Sequence, residues 1–253
     1  MKISLAALLV SSACTLFAPL GASADDAKPL THDEVEAVVK QVIHDNPELI
    51  IQAVEDYQQK QQMASVSKAA QNIISLQKDL NHDPLSPSIG NPKGDVTLVE
   101  FFDYHCGYCK HFFPEIGKLL KDDPNVRIVF KEFPILSEDS ETASRAALAV
   151  YKIDPSKYFE FHTLLMKSSG TFSQEMLEGK AKEIGISPEE LRKAMDDPNI
   201  SKELERNKTM AQAIDIQGTP GLIIGTSMTP GAVPYDILKE KIADVRSRGK
   251  KKS

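Results

Sequence analysis

The sequence predicts an α/β fold: a small sheet with a large helical insertion, preceded by a helical extension. Three observations predict it. Val96–Phe102 and Val126–Phe133 are apolar, β-branched and aromatic runs of strand length, with a helix-like segment, Gly107–Leu120, between them. Residues 137–216 then read as helical throughout. Finally, Gly218-Thr219-Pro220-Gly221 leads into a third apolar run, Leu222-Ile223-Ile224, followed by a short turn-rich strand and a closing helix over about Tyr235–Arg246.

The chain of 253 residues is long enough for one large domain or for one domain plus an extension. Hydrophobic residues make up 41% and charged residues 26%, as in ordinary globular proteins, and the net charge of −6 gives no basis for nucleic-acid binding. Residues 1–24 read as a signal peptide: Lys2, a largely apolar stretch from Ile3 to Leu20, and the small-residue site Ala22-Ser23-Ala24. Cleavage after Ala24 would send the protein to the periplasm. A retained anchor and lipidation at Cys14 are the alternatives.

Residues 25–80 read as a helical extension. Thr31-x-x-Glu34 is a capping box opening a helix whose Val35, Val38, Val39 and Val42 share one face. Asn46-Pro47 reads as the N-cap and first position of the next helix, which carries Ile50, Val54 and Tyr57. After the run Gln58-Gln59-Lys60-Gln61-Gln62, where the apolar phase changes and a bend is expected, Met63, Val66, Ala70, Ile73, Gln77 and Leu80 form a heptad-like seam. Such a stripe needs cover. Self-association of residues 31–80 into a homodimer or homotrimer is the favoured reading, and an arm folded onto its own domain the alternative.

Residues 81–94, rich in Pro and Gly, read as a linker with room for a short edge strand. Residues 95–245 form the main domain, with the helical insertion at about 137–216. Pro114 falls inside its first helix, where a kink is expected. Within the insertion, Asp154-Pro155 and Ser187-Pro188-Glu189-Glu190 each start a helix. Residues 246–253 are a basic tail, read as a solvated end or as a surface attracted to anionic lipid.

The chemistry is carried by Cys106-Gly107-Tyr108-Cys109, placed where the first strand gives way to a helix. Strand–CxxC–helix points to a thioredoxin-like sheet. Cysteines in an oxidising compartment are usually structural staples, but so short a loop removes little unfolded-state entropy, so the pair is kept for reactivity. Unpaired N–H groups at the helix start favour a thiolate on Cys106. Cys109, one turn further in, should be more buried and more protonated. The alternative is a metal site of His105, Cys106, Cys109 and His111, but zinc sites normally join ligand pairs from separate segments. The reading therefore calls for no resident metal and no cofactor.

Phe-Phe-Asp-Tyr-His-Cys-Gly-Tyr-Cys-Lys, the later Val-Phe-Lys-Glu-Phe-Pro-Ile-Leu and the Gly-Thr-Pro before an apolar strand resemble the DsbA family over about 95–245. The N-terminal helices resemble, by type more than by residue, those of oligomeric ScsC-like members. The resemblance implies a disulfide oxidoreductase or isomerase with a redox-active Cys106–Cys109 disulfide. It makes Cys106 the nucleophile, Cys109 the resolving thiol and Glu100 a buried acid that takes the Cys109 proton. It also implies a cis Thr219–Pro220 bond, with client binding at Thr219, Pro220, Gly107 and Tyr108. Implied partners are unfolded or misfolded exported proteins and a DsbB-like or DsbD-like membrane redox protein. Gly107-Tyr108 and Thr219 depart from the strong-oxidase pattern and are similar to DsbC-type isomerases. A dedicated oxidase and a non-enzymatic metal-binding or holdase oligomer are the competing readings.

Overall fold

The computed structural model describes residues 29–250, so the expected signal peptide, Cys14 and the last three residues of the tail lie outside it. Two compact units divide between Asp56 and Tyr57. In the first, α1 (His32–Asp45) opens on the expected capping box, with Thr31 and Glu34 bonding each other's backbone N–H groups. Val35, Val38, Val39 and Val42 are all exposed. Asn46 ends α1, its backbone N–H and its Nδ2 both donating to the carbonyl of Val42, at 3.0 and 2.9 Å. The next helix, α2 (Glu48–Ser75), begins in this unit and continues unbroken through the Gln-rich run into the second.

The second unit is built on a five-stranded sheet in the order β1-β3-β2-β4-β5. Its strands are β1 (Ser88–Gly90), β2 (Val96–Phe102), β3 (Val126–Glu132), β4 (Gly221–Ile224) and β5 (Ser227–Pro230). Only β2 and β3 are parallel. A strand covered on both faces reads as a continuous apolar run, and β2 is covered in this way. Leu98 and Phe102 face α4 (Gly107–Asp122), which carries Pro114 without a break. Val99 and Phe101 face the opposite layer. The insertion supplies α5 (Glu138–Ile153), α6 (Tyr158–Lys167), α7 (Gln174–Glu183), α8 (Pro188–Met195) and α9 (Pro198–Ala213), with the expected capping box at Ser187 and Glu190.

The opposite layer corrects the reading of the heptad seam. After α2 ends at Ser75, α3 (Gln77–His82) turns onto the sheet. Ile73 and Leu80 are each 1% exposed and pack with Val99, Phe101, Val129 and Ile223. Ser65 Oγ donates to Asp215 at 2.8 Å, and Gln77 Nε2 donates to the carbonyl of Gly225 at 3.4 Å. This end of the extension is therefore core of its own domain, whereas Met63 and Val66 stay 61% and 58% exposed.

The segment read as a linker is anchored at its start. Lys131, on β3, is fully buried on this face, and its Nζ donates to the carbonyl of Asp79, to Ser86 Oγ and to Asp83 Oδ2 at 2.7–3.3 Å. Glu203 and Arg206 of α9 complete the cluster: Arg206 pairs with both Asp83 and Glu203. At the other terminus, α10 (Tyr235–Lys250) outlasts the expected end near Arg246. Arg246 is not a solvated tail residue; it holds Asp95 and Asp123 at 2.6–2.9 Å, fixing the last turns against the sheet.

Candidate active site

The turn between β2 and α4 is set by Asp103. One of its carboxylate oxygens accepts from His105 N and Ser140 Oγ, each at 2.7 Å. The other accepts from the backbone N–H groups of Ile135 and Leu136 at 2.9 and 3.0 Å. A single buried side chain thus joins the cysteine turn to the loop after β3 and to the start of α5. Sequence reasoning assigned Asp103 no role; its place directly after an apolar strand and before the CxxC was the available signal.

Cys106 caps α4. Its Sγ accepts from Cys109 N at 3.4 Å and lies 3.1 Å from the carbonyl oxygen of Thr219. The hydrogen bond from the Cys109 thiol, with those from the Thr219 side chain and from the backbone of Cys109 and Tyr108, outweighs burial and holds the Cys106 thiol down at about 5. Cys109 is fully buried, and burial, the Cys106 sulfur and the Glu100 charge push its thiol far above the ordinary range. Both sulfurs are buried, Cys106 at 6% and Cys109 at 0% exposure, but their acidities are driven apart, Cys106 downward and Cys109 upward. Both are free thiols here.

Glu100 lies on β2 between Phe130 and Leu222 of the flanking strands and is 1% exposed. Both its carboxylate oxygens are buried without a hydrogen-bond partner. Burial first, then the charges of Cys106 and Glu132, raise it to about 8, so it mostly holds a proton near neutrality. Thr219–Pro220 is a cis peptide, and Pro220's carbonyl accepts from Gly231 N at 2.8 Å. Gly107 and Tyr108 lie on the outer surface, Tyr108 being 73% exposed, and a Cβ at Gly107 would meet no neighbour.

Sequence reasoning missed a second buried group. Glu132, on β3, accepts from Tyr104 and Tyr158 at 3.1 and 2.9 Å, and the Tyr104 hydroxyl lies 3.0 Å from His162 Nδ1. It also missed Lys110, whose Nζ donates to the carbonyl of Ser168 and lies 5.6 Å from the centre of the Phe172 ring. The metal alternative is not assembled. Among the described residues the cluster whose donors approach one another is the exposed His32, Asp33 and Glu36, and His105, Cys106, Cys109 and His111 do not gather into one.

A family model described as the DSBA-like thioredoxin domain matches residues 97–243. The chain belongs to that family. As a DsbA-like thiol–disulfide protein it is similar to disulfide bond formation protein D of Bacillus subtilis, with 31% identity over 62% of this chain and 75% of the relative. Among solved structures, a thioredoxin-like oxidoreductase from Silicibacter pomeroyi is 38% identical, with a TM-score of 0.64 over 67% of this chain and 97% of that one. A linker-deleted ScsC variant from Proteus mirabilis is 29% identical, with a TM-score of 0.69, over 88% of this chain and 99% of its own. The DsbA-like match takes in β2 from Thr97 onward and all of β3, β4 and β5, but not the edge strand β1.

Proposed function

We propose that this DsbA-like protein works in the periplasm, forming and isomerising disulfides in exported clients through Cys106 and Cys109. One observation carries the reading: the Cys106 sulfur caps a helix beside the Thr219 carbonyl, while Cys109 is buried behind it in the pocket of an unpartnered Glu100. The Cys106 thiolate attacks a client disulfide, forming a mixed disulfide and releasing one client thiolate. Glu100 in its ionised form takes the proton of Cys109, and the Cys109 thiolate attacks Cys106 Sγ. The Cys106–Cys109 disulfide forms and the second client thiolate leaves. Run backwards, the same steps donate a disulfide.

The contact between the Cys106 thiol and the Thr219 carbonyl exists only while the sulfur is protonated. Ionisation frees that oxygen to accept an N–H from an extended client segment, with Pro220, Gly107 and Tyr108 around it. A DsbB-like or DsbD-like membrane protein would restore the starting redox state. Periplasmic placement draws on the expected signal peptide and on a similar Salmonella structure described as a periplasmic thioredoxin-like protein. Among the described residues no helix is long and apolar enough to cross a membrane.

The exposed stripes of α1 and α2, from Val35 to Val66, are proposed to join a dimer or trimer that holds a misfolded client for a second attack. Full burial of each such side chain is worth about 1.5–3 kcal/mol before ordering costs. The test is refolding of scrambled ribonuclease by the chain from Asp25 and by one starting at Tyr57. A cut at Asn81 would also strip Ile73 and Leu80 from the core, at about 2–5 kcal/mol each on truncation of such residues. Isomerisation should fall in the shorter chain and vanish in Cys106→Ala; equal rates from the two lengths would reject the role of the helices.

Disulfide donation alone is the second reading. The strongly stabilised Cys106 thiolate favours it, because it favours the reduced enzyme. Efficient oxidation of a reduced peptide without isomerisation would select it.

A further inference from the structure

Two carboxyl groups are buried on the face of the sheet that packs with Cys109, where the proposed cycle uses one. Glu100 and Glu132 lie on adjacent parallel strands, with Glu100 opposite Phe130 and Phe102 opposite Glu132, so both project from the same face. Both are buried, at 1% and 0% exposure. Lys131, between Phe130 and Glu132, projects to the other face, where its Nζ is spent on Asp79, Asp83 and Ser86. None of the side chains bonded to either carboxyl is a cation.

The two acids are held differently. Glu132 Oε1 accepts from two phenols, Tyr104 and Tyr158. Glu100 accepts from nothing. Hydrogen bonds donated to a carboxylate favour its ionised form, and two like charges in one dry pocket cannot both persist. Burial raises both groups to about 8, so the phenols decide the order of ionisation: the first negative charge of the pair belongs on Glu132 and the remaining proton on Glu100.

We propose that Glu132 is a positioning residue for the thiol chemistry: its phenol-held charge keeps the proton on Glu100, loaded for exchange with Cys109. This deepens the reading of Glu100 as the proton carrier and rests on it. In the donating direction, a client thiolate attacks Cys106 Sγ, the Cys106–Cys109 bond breaks, and Cys109 leaves as a thiolate. Glu100 gives it the proton and becomes charged beside Glu132. In the resolving direction Cys109 returns that proton as its sulfur attacks, and the repulsion between the two carboxylates favours its uptake by Glu100.

The ionisable groups facing this pair come from every element around it. Tyr104 and Asp103 come from the turn after β2, Tyr158 and His162 from α6, and Cys106 and Cys109 from the start of α4. His162 is kept neutral by burial, so it supplies no counter-charge. Tyr104 also ties the pair to the cysteine turn, standing two residues before Cys106 while bonding both Glu132 and His162.

The experiment uses the full reduced chain with carbon-13 in its glutamate carboxyls, the Glu100 resonance being identified by its loss in Glu100→Gln. Each variant is also followed through the pH profile of mixed-disulfide resolution. In Glu132→Gln the Glu100 midpoint should fall by about one to two pH units, the effect of losing one close like charge. The proton-transfer limb of the profile should move with it, and Glu132→Asp should restore both. Tyr158→Phe, which keeps the carboxyl and the packing, should give a smaller fall and decides the matter if Glu132→Gln does not fold. An unmoved Glu100 midpoint overturns this inference alone, provided that Glu100→Gln itself alters the profile. An unaltered profile in Glu100→Gln overturns the reading of Glu100 and this inference with it.

Discussion

Replacing Cys109 by alanine should make Cys106 a weaker acid. The fall from 9 to about 5 corresponds, at about 1.4 kcal/mol per pH unit, to about 5 kcal/mol in favour of the Cys106 thiolate. At neutral pH only the part between 5 and 7 is expressed. That is about 2.7 kcal/mol, or about 60 mV in the oxidising direction for a two-electron couple. The largest single contributor is the hydrogen bond from the Cys109 thiol; the backbone donors of the helix start and Thr219 come after it. A hydrogen bond to a charged group contributes about 1.5–3 kcal/mol, so its loss in Cys109→Ala should raise Cys106 by about one to two pH units. The assay is the pH dependence of iodoacetamide alkylation at the one remaining thiol, checked by the ultraviolet absorbance of the thiolate. In the unaltered chain alkylation should fall first on Cys106, since Cys109 is fully buried. An unmoved midpoint in Cys109→Ala would place the stabilisation in the helix N-terminus alone. A midpoint near 8.5 in the unaltered protein, the value of a free cysteine, would refute the whole electrostatic account.

Three further predictions follow from the same structure. Between about 5 and 9 the folded, reduced chain has already lost the Cys106 proton that the unfolded chain keeps, so this group's contribution to stability rises with pH. Glu100, raised from 4.5 to about 8, contributes the opposite slope across that window but is present in both redox forms. The melting temperature of the reduced form should therefore gain on that of the oxidised form as pH rises from about 5 to about 8, and a flat difference would contradict it. Lys131→Met should cost about 3–5 kcal/mol in urea denaturation, because Asp83 and Glu203 lose a fully buried partner; unchanged stability would show the cluster to be dispensable. Light scattering should give a dimer or trimer for the chain from Asp25 and a monomer for the chain from Tyr57; a monomer from both would reject self-association.

The sheet and the cysteine turn were legible because their signals are local. A strand buried on both faces must be largely apolar, and Val96–Phe102 reads in that way, with the half-buried Thr97 and the buried Glu100 as its exceptions. Capping boxes at Thr31 and Ser187 declare helix starts with four residues each. What was not legible depends on partners distant in sequence. A heptad stripe says that a helix has an apolar face, not what covers it, and Ile73 and Leu80 turned out to be covered by their own sheet. Arg246 looked like part of a basic tail because Asp95 and Asp123 lie more than a hundred residues earlier. Lys131 and Glu132 are neighbours that serve opposite faces, one an ion cluster and the other a pocket of phenols. Two adjacent charges inside a strand of apolar residues were a visible oddity, but their roles needed Tyr158, Asp83 and Glu203 in place.

The central claim is that Cys106 attacks and Cys109 resolves. Its most direct test is mass spectrometry of the protein quenched in acid during reaction with a disulfide-bonded client peptide, with Cys109→Ala and Cys106→Ala alongside. The account predicts that Cys109→Ala accumulates a client disulfide on Cys106 and that Cys106→Ala accumulates none. The unaltered chain should pass quickly through the same adduct to a Cys106–Cys109 disulfide. A client adduct on Cys109, or turnover that survives loss of Cys106, would contradict it.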